Sequence, residues 1–224
     1  MRRLATATTT AALAAALLAA PGAAVPAQAD DTGIPVVLIH GRSANAGVWG
    51  SLKDRLVRSG FPEDRIHTWE YDTSKSTNEV LAGQLAAYVN SLGVPRVNIV
   101  AHSLGSLPSR WYIKFGGGGQ NVDQWISLAG PNHGTSLAYA CALWDQGCKD
   151  MTPGSWVVSH LNEGDPTPGS TRYTTFWSPN DEQILPQTST QLTGATNIKT
   201  DGLKHNDFLS NPTVLNQLDA LLTR

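Results

Sequence analysis

The sequence predicts a mostly parallel, doubly wound α/β sheet with helices on both faces. Three observations carry that expectation. Short apolar runs such as Ile-Pro-Val-Val-Leu-Ile (34–39) and Val-Asn-Ile-Val-Ala (97–101) are what strands buried on both faces look like. Amphipathic stretches of helical period separate them, and strand–helix alternation implies parallel pairing through crossovers. The third is the stretch Val97-Asn98-Ile99-Val100-Ala101-His102-Ser103-Leu104-Gly105. Here an apolar run delivers a serine to a sharp turn and a helical segment follows.

In chain order, the first strand covers 34–39 and runs into His40-Gly41-Arg42-Ser43. Residues 47–58 read as a helix with Val48, Leu52 and Leu56 on its apolar side, ended by Gly60-Phe61-Pro62. A second strand is expected over 65–71. Ser76-x-x-Glu79 then opens a helix as a capping box. Val80, Leu81, Leu85, Tyr88, Val89 and Leu92 give it an apolar face, and Gly93-Val94-Pro95 stops it. A strand over 96–101 leads to Ser103, and the helix beyond ends near Phe115 at four consecutive glycines. Further strands are expected over 122–129, 172–177 and 196–199. Asn211 at the N-cap and Pro212 at N1 start the last helix. Its buried stripe is Val214, Leu215, Leu218, Leu221 and Leu222. Residues 130–170 break the alternation and read as an excursion above the carboxyl ends of the strands, with one short helix around 155–162. Ligands bind at that edge in open α/β sheets.

The chain has 224 residues, and its first 29 are expected to be a secretory signal peptide. Arg2-Arg3 supplies the positive end, an Ala/Leu run the mildly apolar core, and Ala27-Gln28-Ala29 the cleavage site. The paired arginines leave the general and the twin-arginine export routes both open, while Pro21-Gly22 argues against a membrane anchor. Cleavage leaves residues 30–224 as a single secreted domain, expected to act as a monomer, with 130–170 as its insert near the active site. Of the 16 Lys and Arg, two go with the peptide, leaving 14 against 18 acids and a net charge of about −4. Without a basic patch, nucleic acid is excluded as a partner. Cys141 and Cys148, close together in an exported chain, read as one disulfide. Such a short closed loop stabilises by on the order of 2–3 kcal/mol. No metal or organic cofactor is implied.

A serine nucleophile needs a base and an acid. In this type of fold the order is Ser, acid, His. His205 lies in Lys204-His205-Asn206-Asp207, between the last expected strand and the last helix, where its ring can hang over Ser103. Asp181 follows a strand in Trp177-Ser178-Pro179-Asn180-Asp181-Glu182, with Glu182 as the adjacent competitor and Asp165 a remote one. The backbone N–H groups of Arg42 and Leu104 are the expected oxyanion donors. His40 is expected to pack within its turn, and His102 to point away from the serine. Leu137, Trp144, Trp156, Ile184 and Leu185 are candidate walls of an acyl pocket, with ordinary core as the other reading for each.

His40-Gly41, Ala-His-Ser-Leu-Gly, Ser-Pro-Asn-Asp-Glu and Lys-His-Asn-Asp together resemble the small secreted bacterial lipases of the α/β-hydrolase superfamily. The similarity is greatest to the class 2, Bacillus-type lipases and their actinomycete relatives, and it covers Ile34 to the C-terminus. Ala101 stands where the commoner G-x-S-x-G pattern has glycine, a form typical of that group. The resemblance implies a minimal α/β-hydrolase fold. It also implies a secreted serine carboxylic-ester hydrolase acting on acylglycerols or related lipid esters, with transient contact with a lipid interface. Ser103, Asp181 and His205 fall on its triad, and Arg42 and Leu104 on its oxyanion donors. A polyester depolymerase or an acyltransferase on the same triad is the alternative. The insert carrying the cysteines is longer than in the minimal Bacillus type.

Overall fold

A computed structural model describes residues 33–223; the expected signal peptide lies outside the described residues. Among the described residues, six strands form one sheet: β1 Val36–Ile39, β2 Ile66–Trp69, β3 Val97–His102, β4 Val122–Leu128, β5 Arg172–Trp177 and β6 Thr196–Lys199. Their order is β2-β1-β3-β4-β5-β6, and every neighbouring pair is parallel. β5 and β6 have the expected bounds. β1 begins only after Pro35, which has no N–H to give to the ladder. The chain leaves β1 toward β2 and returns on the other side as β3, so the strand order reverses between β1 and β3. A crevice opens at the carboxyl ends of two strands at such a reversal.

The strands alternate between two cores, with one register shift in β4 where Val122 and Trp125 face the same side. Val36, Leu38, Val100, Ile126, Leu128 and Phe176 face helices α1 (Gly50–Arg58) and α6 (Pro212–Leu222). Leu52 and Leu56 answer from α1, and Val214, Leu218 and Leu222 from α6. Val37, Ile39, Val97, Ile99, Ala101 and Trp125 face α2 (Asn78–Ser91) and α3 (Ser106–Phe115), which bring Leu81, Leu85, Val89, Tyr112 and Ile113. Each fully buried side chain of this size contributes about 1.5–3 kcal/mol. Two-sided burial is therefore what pins strand register here, since a one-residue slip exchanges the two faces.

Several details differ from the sequence expectation. The first turn of the 47–58 helix is 3₁₀ (Ala46–Trp49), capped by Asn45, whose side chain accepts from the Gly47 N–H. The capping box at Ser76 does not form. Thr77 occupies the N-cap without a side-chain bond, and the Asn78 N–H donates to Asp150 Oδ2 at 3.0 Å. Val80 lies half exposed, outside the apolar face assigned to it. The insert holds two helices, α4 (Gln146–Met151) and α5 (Trp156–Asn162). α4 has only six residues, one of them Gly147, so it carries no hydrophobic period. Its one sequence signal is Asp145, a capping residue, just ahead of it.

Asp150 on α4 thus caps α2 from across the chain, and Gln146 donates to its other oxygen at 2.8 Å. Burial, with Glu79 adding to it, raises its carboxyl to about 6, against the opposing pull of those two hydrogen bonds and Lys149. A carboxyl raised in the folded state favours the protonated form there. Stability therefore falls as pH rises from about 4 to about 6 and is level above. Asp150→Asn keeps an acceptor for Asn78 and a turned Gln146 amide meets the new NH₂. Relative to the parent it is expected to gain about 1–3 kcal/mol above pH 6 and nothing at pH 4. Denaturant unfolding of the two proteins at pH 4 and pH 8 checks this; equal differences at both pH values refute it.

Candidate active site

Ser103 stands at the reversal point, between β3 and a 3₁₀ turn (Ser103–Gly105) that leads into α3. Its φ is 53°, in the left-handed region. A non-glycine residue held there stores about 1–3 kcal/mol, which the surrounding packing must overcome. Two glycines make that packing possible. A Cβ on Gly105 would lie 2.7 Å from the His40 carbonyl oxygen, so strand and helix meet there without a side chain between them. A Cβ on Gly41 would lie 2.9 Å from Ser103 Cβ. Ala101, at the position where glycine is commoner, is fully buried in the α2–α3 core, and its methyl is accommodated.

The loop between β6 and α6 carries His205, 2% exposed. Its Nδ1 lies 3.0 Å from Asp181 Oδ2 and 3.1 Å from Oδ1. Asp181 comes from the turn after β5 and is equally buried. Its Oδ1 also accepts the N–H groups of Gln183 (2.8 Å) and Ile184 (3.0 Å), which fixes the carboxylate plane. Glu182 does not reach the imidazole; its Oε2 accepts the backbone N–H of His205 at 3.1 Å. Asp165 is engaged elsewhere, accepting from Thr167. The geometry therefore separates the three carboxylates that the sequence left in competition.

His102, expected to point away from the serine, lines the same cavity as Ser103, with its ring 4.8 Å from that of His205. Its Nε2–H donates to the His205 carbonyl at 3.1 Å. Burial first, then the neighbouring His205, depresses its imidazole to about 3, so it stays neutral and keeps that bond at any ordinary pH. His40 packs within its turn, donating Nδ1–H to the Gly41 carbonyl at 2.9 Å and stacking on Tyr71 with centroids 4.6 Å apart. Arg42 turns its guanidinium onto Asp145, with Nε 2.9 Å and Nη2 2.8 Å from Oδ2. Leu104, directly after the serine, is buried. Cys141 and Cys148 form the expected disulfide.

Ser103, His205, Gly41, Arg42 and Ser43 line one cavity of about 690 Å³. Val48, Leu137, Ala138, Met151, Ile184 and Leu209 supply its apolar wall, together with the disulfide. Leu137 and Ile184 were expected there; Trp144, Trp156 and Leu185 were also candidates and do not line it. Trp144 is 73% exposed, and Trp156, half exposed, packs tilted against Trp111 with ring centroids 5.0 Å apart. Sequence reading missed Val48, Ala138, Met151 and Leu209. All four are small or apolar residues whose pattern equally fits a core. Among the described residues, no three His, Cys, Asp or Glu side chains gather as a metal site.

The family model described as lipase (class 2) matches residues 33–218. Solved structures with the same fold include the mature form of the Bacillus licheniformis lipase BlEst2. It is 17% identical with a TM-score of 0.74, over 87% of this chain and 94% of that one. Aspergillus fumigatus lipase B is 19% identical with a TM-score of 0.71, covering 89% of this chain and 55% of that one. A structure reported among carboxylesterases of Nitrososphaera gargenis is 16% identical with a TM-score of 0.59, over 87% and 92% of the two chains.

Proposed function

Since this chain belongs to the class 2 lipase family and is a carboxylic ester hydrolase, we propose that it cleaves lipid esters through an acyl-enzyme on Ser103, with His205 as base and Asp181 as its orienting acid. The observation that carries this reading is the His205 Nδ1–Asp181 Oδ2 contact of 3.0 Å in the loop that shares a cavity with Ser103. A carboxylate on Nδ1 keeps the proton there and leaves Nε2 as the base. Ser103 Oγ then attacks the ester carbonyl as its proton passes to Nε2, and the C–O bond to the alcohol breaks as His205 returns that proton to the leaving oxygen. Water, deprotonated by His205, attacks the acyl carbonyl and releases the acid and Ser103. The backbone N–H groups of Arg42 and Leu104 stabilise the oxyanion in both halves, so no metal or organic cofactor enters. Export by the residue 1–29 signal peptide, with a single mature domain over 30–224, belongs to the same proposal.

The substrate end of the reading rests on the apolar wall of the cavity and on the insert. The insert carries Leu137, Tyr139, Leu143, Trp144 and Trp156 among the exposed large apolar side chains, Leu143 being 93% exposed. Exposed apolar side chains of this kind suit transient contact with a lipid surface. Each methylene buried in the wall contributes roughly 0.8 kcal/mol, about a fourfold gain. Across p-nitrophenyl esters from acetyl to palmitoyl, kcat/KM is expected to climb with chain length, peak at roughly C6 to C10, and level or fall beyond, with emulsified tributyrin hydrolysed. A maximum at acetyl with tributyrin untouched overturns the lipid-ester reading.

A further inference from the structure

Arg42 and Leu104 come from different turns, and something must hold the two turns at a fixed spacing. The turn 41–43 has little of its own to do so. Ser43 sits at φ 56°, and its N–H is taken by Thr73 Oγ1 at 3.1 Å. The Arg42 side chain is one-third exposed, yet its guanidinium reaches Asp145, donating Nε–H at 2.9 Å with Nη2 2.8 Å from the same oxygen as an ion pair. Asp145 is nearly buried, and both of its oxygens are committed. Oδ2 takes Arg42, and Oδ1 takes the Cys148 N–H at 2.9 Å as the N-cap of α4. Its own N–H donates to the Cys141 carbonyl at 3.1 Å. Asp145 is thus held inside the loop that the Cys141–Cys148 disulfide closes.

The same loop reaches the second turn. A Cβ on Gly147 would lie 2.9 Å from Leu104 Cδ2 and 2.3 Å from the Thr73 carbonyl oxygen. The Gln146 N–H donates to the Ser74 carbonyl at 2.8 Å. One closed loop therefore touches Arg42 through its side chain, Leu104 by packing, and the 73–74 segment that holds Ser43. An exposed ion pair contributes little, but removing one member of a pair whose carboxylate is buried leaves its partner uncompensated.

We propose that Asp145, clamped by the Cys141–Cys148 disulfide and paired with Arg42, is the positioning residue that sets the spacing of the two oxyanion donors. This rests on the ester-hydrolase reading of Ser103 and His205 above. Asp145 touches no reacting atom. Its effect falls on the transition state, where the oxyanion exists, and leaves ground-state binding alone.

The test uses the full mature enzyme and a soluble ester, p-nitrophenyl butyrate, so that no lipid surface intervenes. Asp145→Asn retains an acceptor for the Cys148 N–H and weakens the Arg42 pair. Arg42→Ala removes the pair from the other side and keeps the backbone donor. Each is expected to lower kcat by about 10–100-fold with KM within about twofold. Affinity for a trifluoromethyl ketone, which forms an anionic tetrahedral adduct, is expected to fall by the same factor. The double variant is expected to be no worse than the worse single one. Cys141→Ser/Cys148→Ser, which opens the loop, shifts kcat the same way. Unchanged kcat in folded Asp145→Asn and Arg42→Ala, or additive losses in the double variant, overturns the proposal. Organophosphonate labelling of the parent keeps the two readings apart: if Ser103 is not labelled, the ester-hydrolase reading fails, and this proposal with it. If Ser103 is labelled and kcat is unchanged in the variants, only this proposal fails.

Discussion

Ser103→Ala is expected to lower kcat by about 10⁵–10⁶-fold and to leave the fold intact. In a triad the nucleophile and its base act as a unit, so loss of the serine removes nearly all that the unit supplies. Residual turnover comes from the oxyanion donors and substrate binding alone. The fold tolerates the change because Ser103 makes no contact that the sheet depends on. β3 is paired with β4 over its whole length and with β1 over Asn98–Ala101, and the turn is held by the approach of Gly105 to the His40 carbonyl. The strained φ of 53° adds a second readout. Alanine inherits the strain, whereas Ser103→Gly relieves about 1–2 kcal/mol of it. The glycine variant is therefore expected to be as inactive as the alanine variant and to unfold at a higher temperature. A radiolabelled organophosphonate is expected to attach to Ser103 in the parent and to neither variant. Labelling at a different serine, or a variant retaining a tenth of parental kcat, would remove Ser103 from the proposed role.

The parts of this site that sequence made legible are those where one residue type at one place does a job that alternatives do badly. The turn at Ser103 is announced by a buried strand, a serine and Gly105, where any Cβ would lie 2.7 Å from the His40 carbonyl oxygen, so glycine is required. Asn211 and Pro212 mark the start of α6 for the same reason, since Asn211 accepts from Thr213 and Val214 and Pro212 has no N–H to lose. The sheet was legible because two-sided burial leaves an unbroken apolar run. What stayed hidden depends on pairs distant in sequence. The strand-then-turn frame placed Asp181 ahead of Glu182, but the contact that distinguishes them is with an imidazole 24 residues away. Asp150 replaces a local capping box at α2 from 72 residues away. The cavity wall was only partly legible: Leu137 and Ile184 line it, whereas the candidate aromatic residues of the insert do not. Trp144 instead lies outside, and Met151 and Ala138 take the inner positions.

The second large effect belongs to that ranking. Asp181→Asn is expected to lower kcat by about 10⁴-fold at neutral pH, and Glu182→Gln by less than about fivefold. The Gln183 and Ile184 N–H groups both point at Oδ1 of Asp181, so in the variant the amide oxygen must occupy that place. The new NH₂ then faces His205 Nδ1, 3.0 Å away in the parent. Two donors cannot share that line, so the imidazole proton is expected to move to Nε2, and the nitrogen proposed as the base becomes a donor. Geometry is preserved while chemistry is lost. Glu182 offers its Oε2 only to the backbone N–H of His205, and a glutamine oxygen accepts the same bond. The comparison is internally controlled: both changes turn a carboxylate into its amide, at adjacent positions on the same loop, each beside His205. Measuring kcat for both variants on one soluble ester, with thermal unfolding recorded for each, decides it. A loss at Glu182 exceeding the loss at Asp181 would transfer the acid to Glu182 and require His205 to turn its ring in solution.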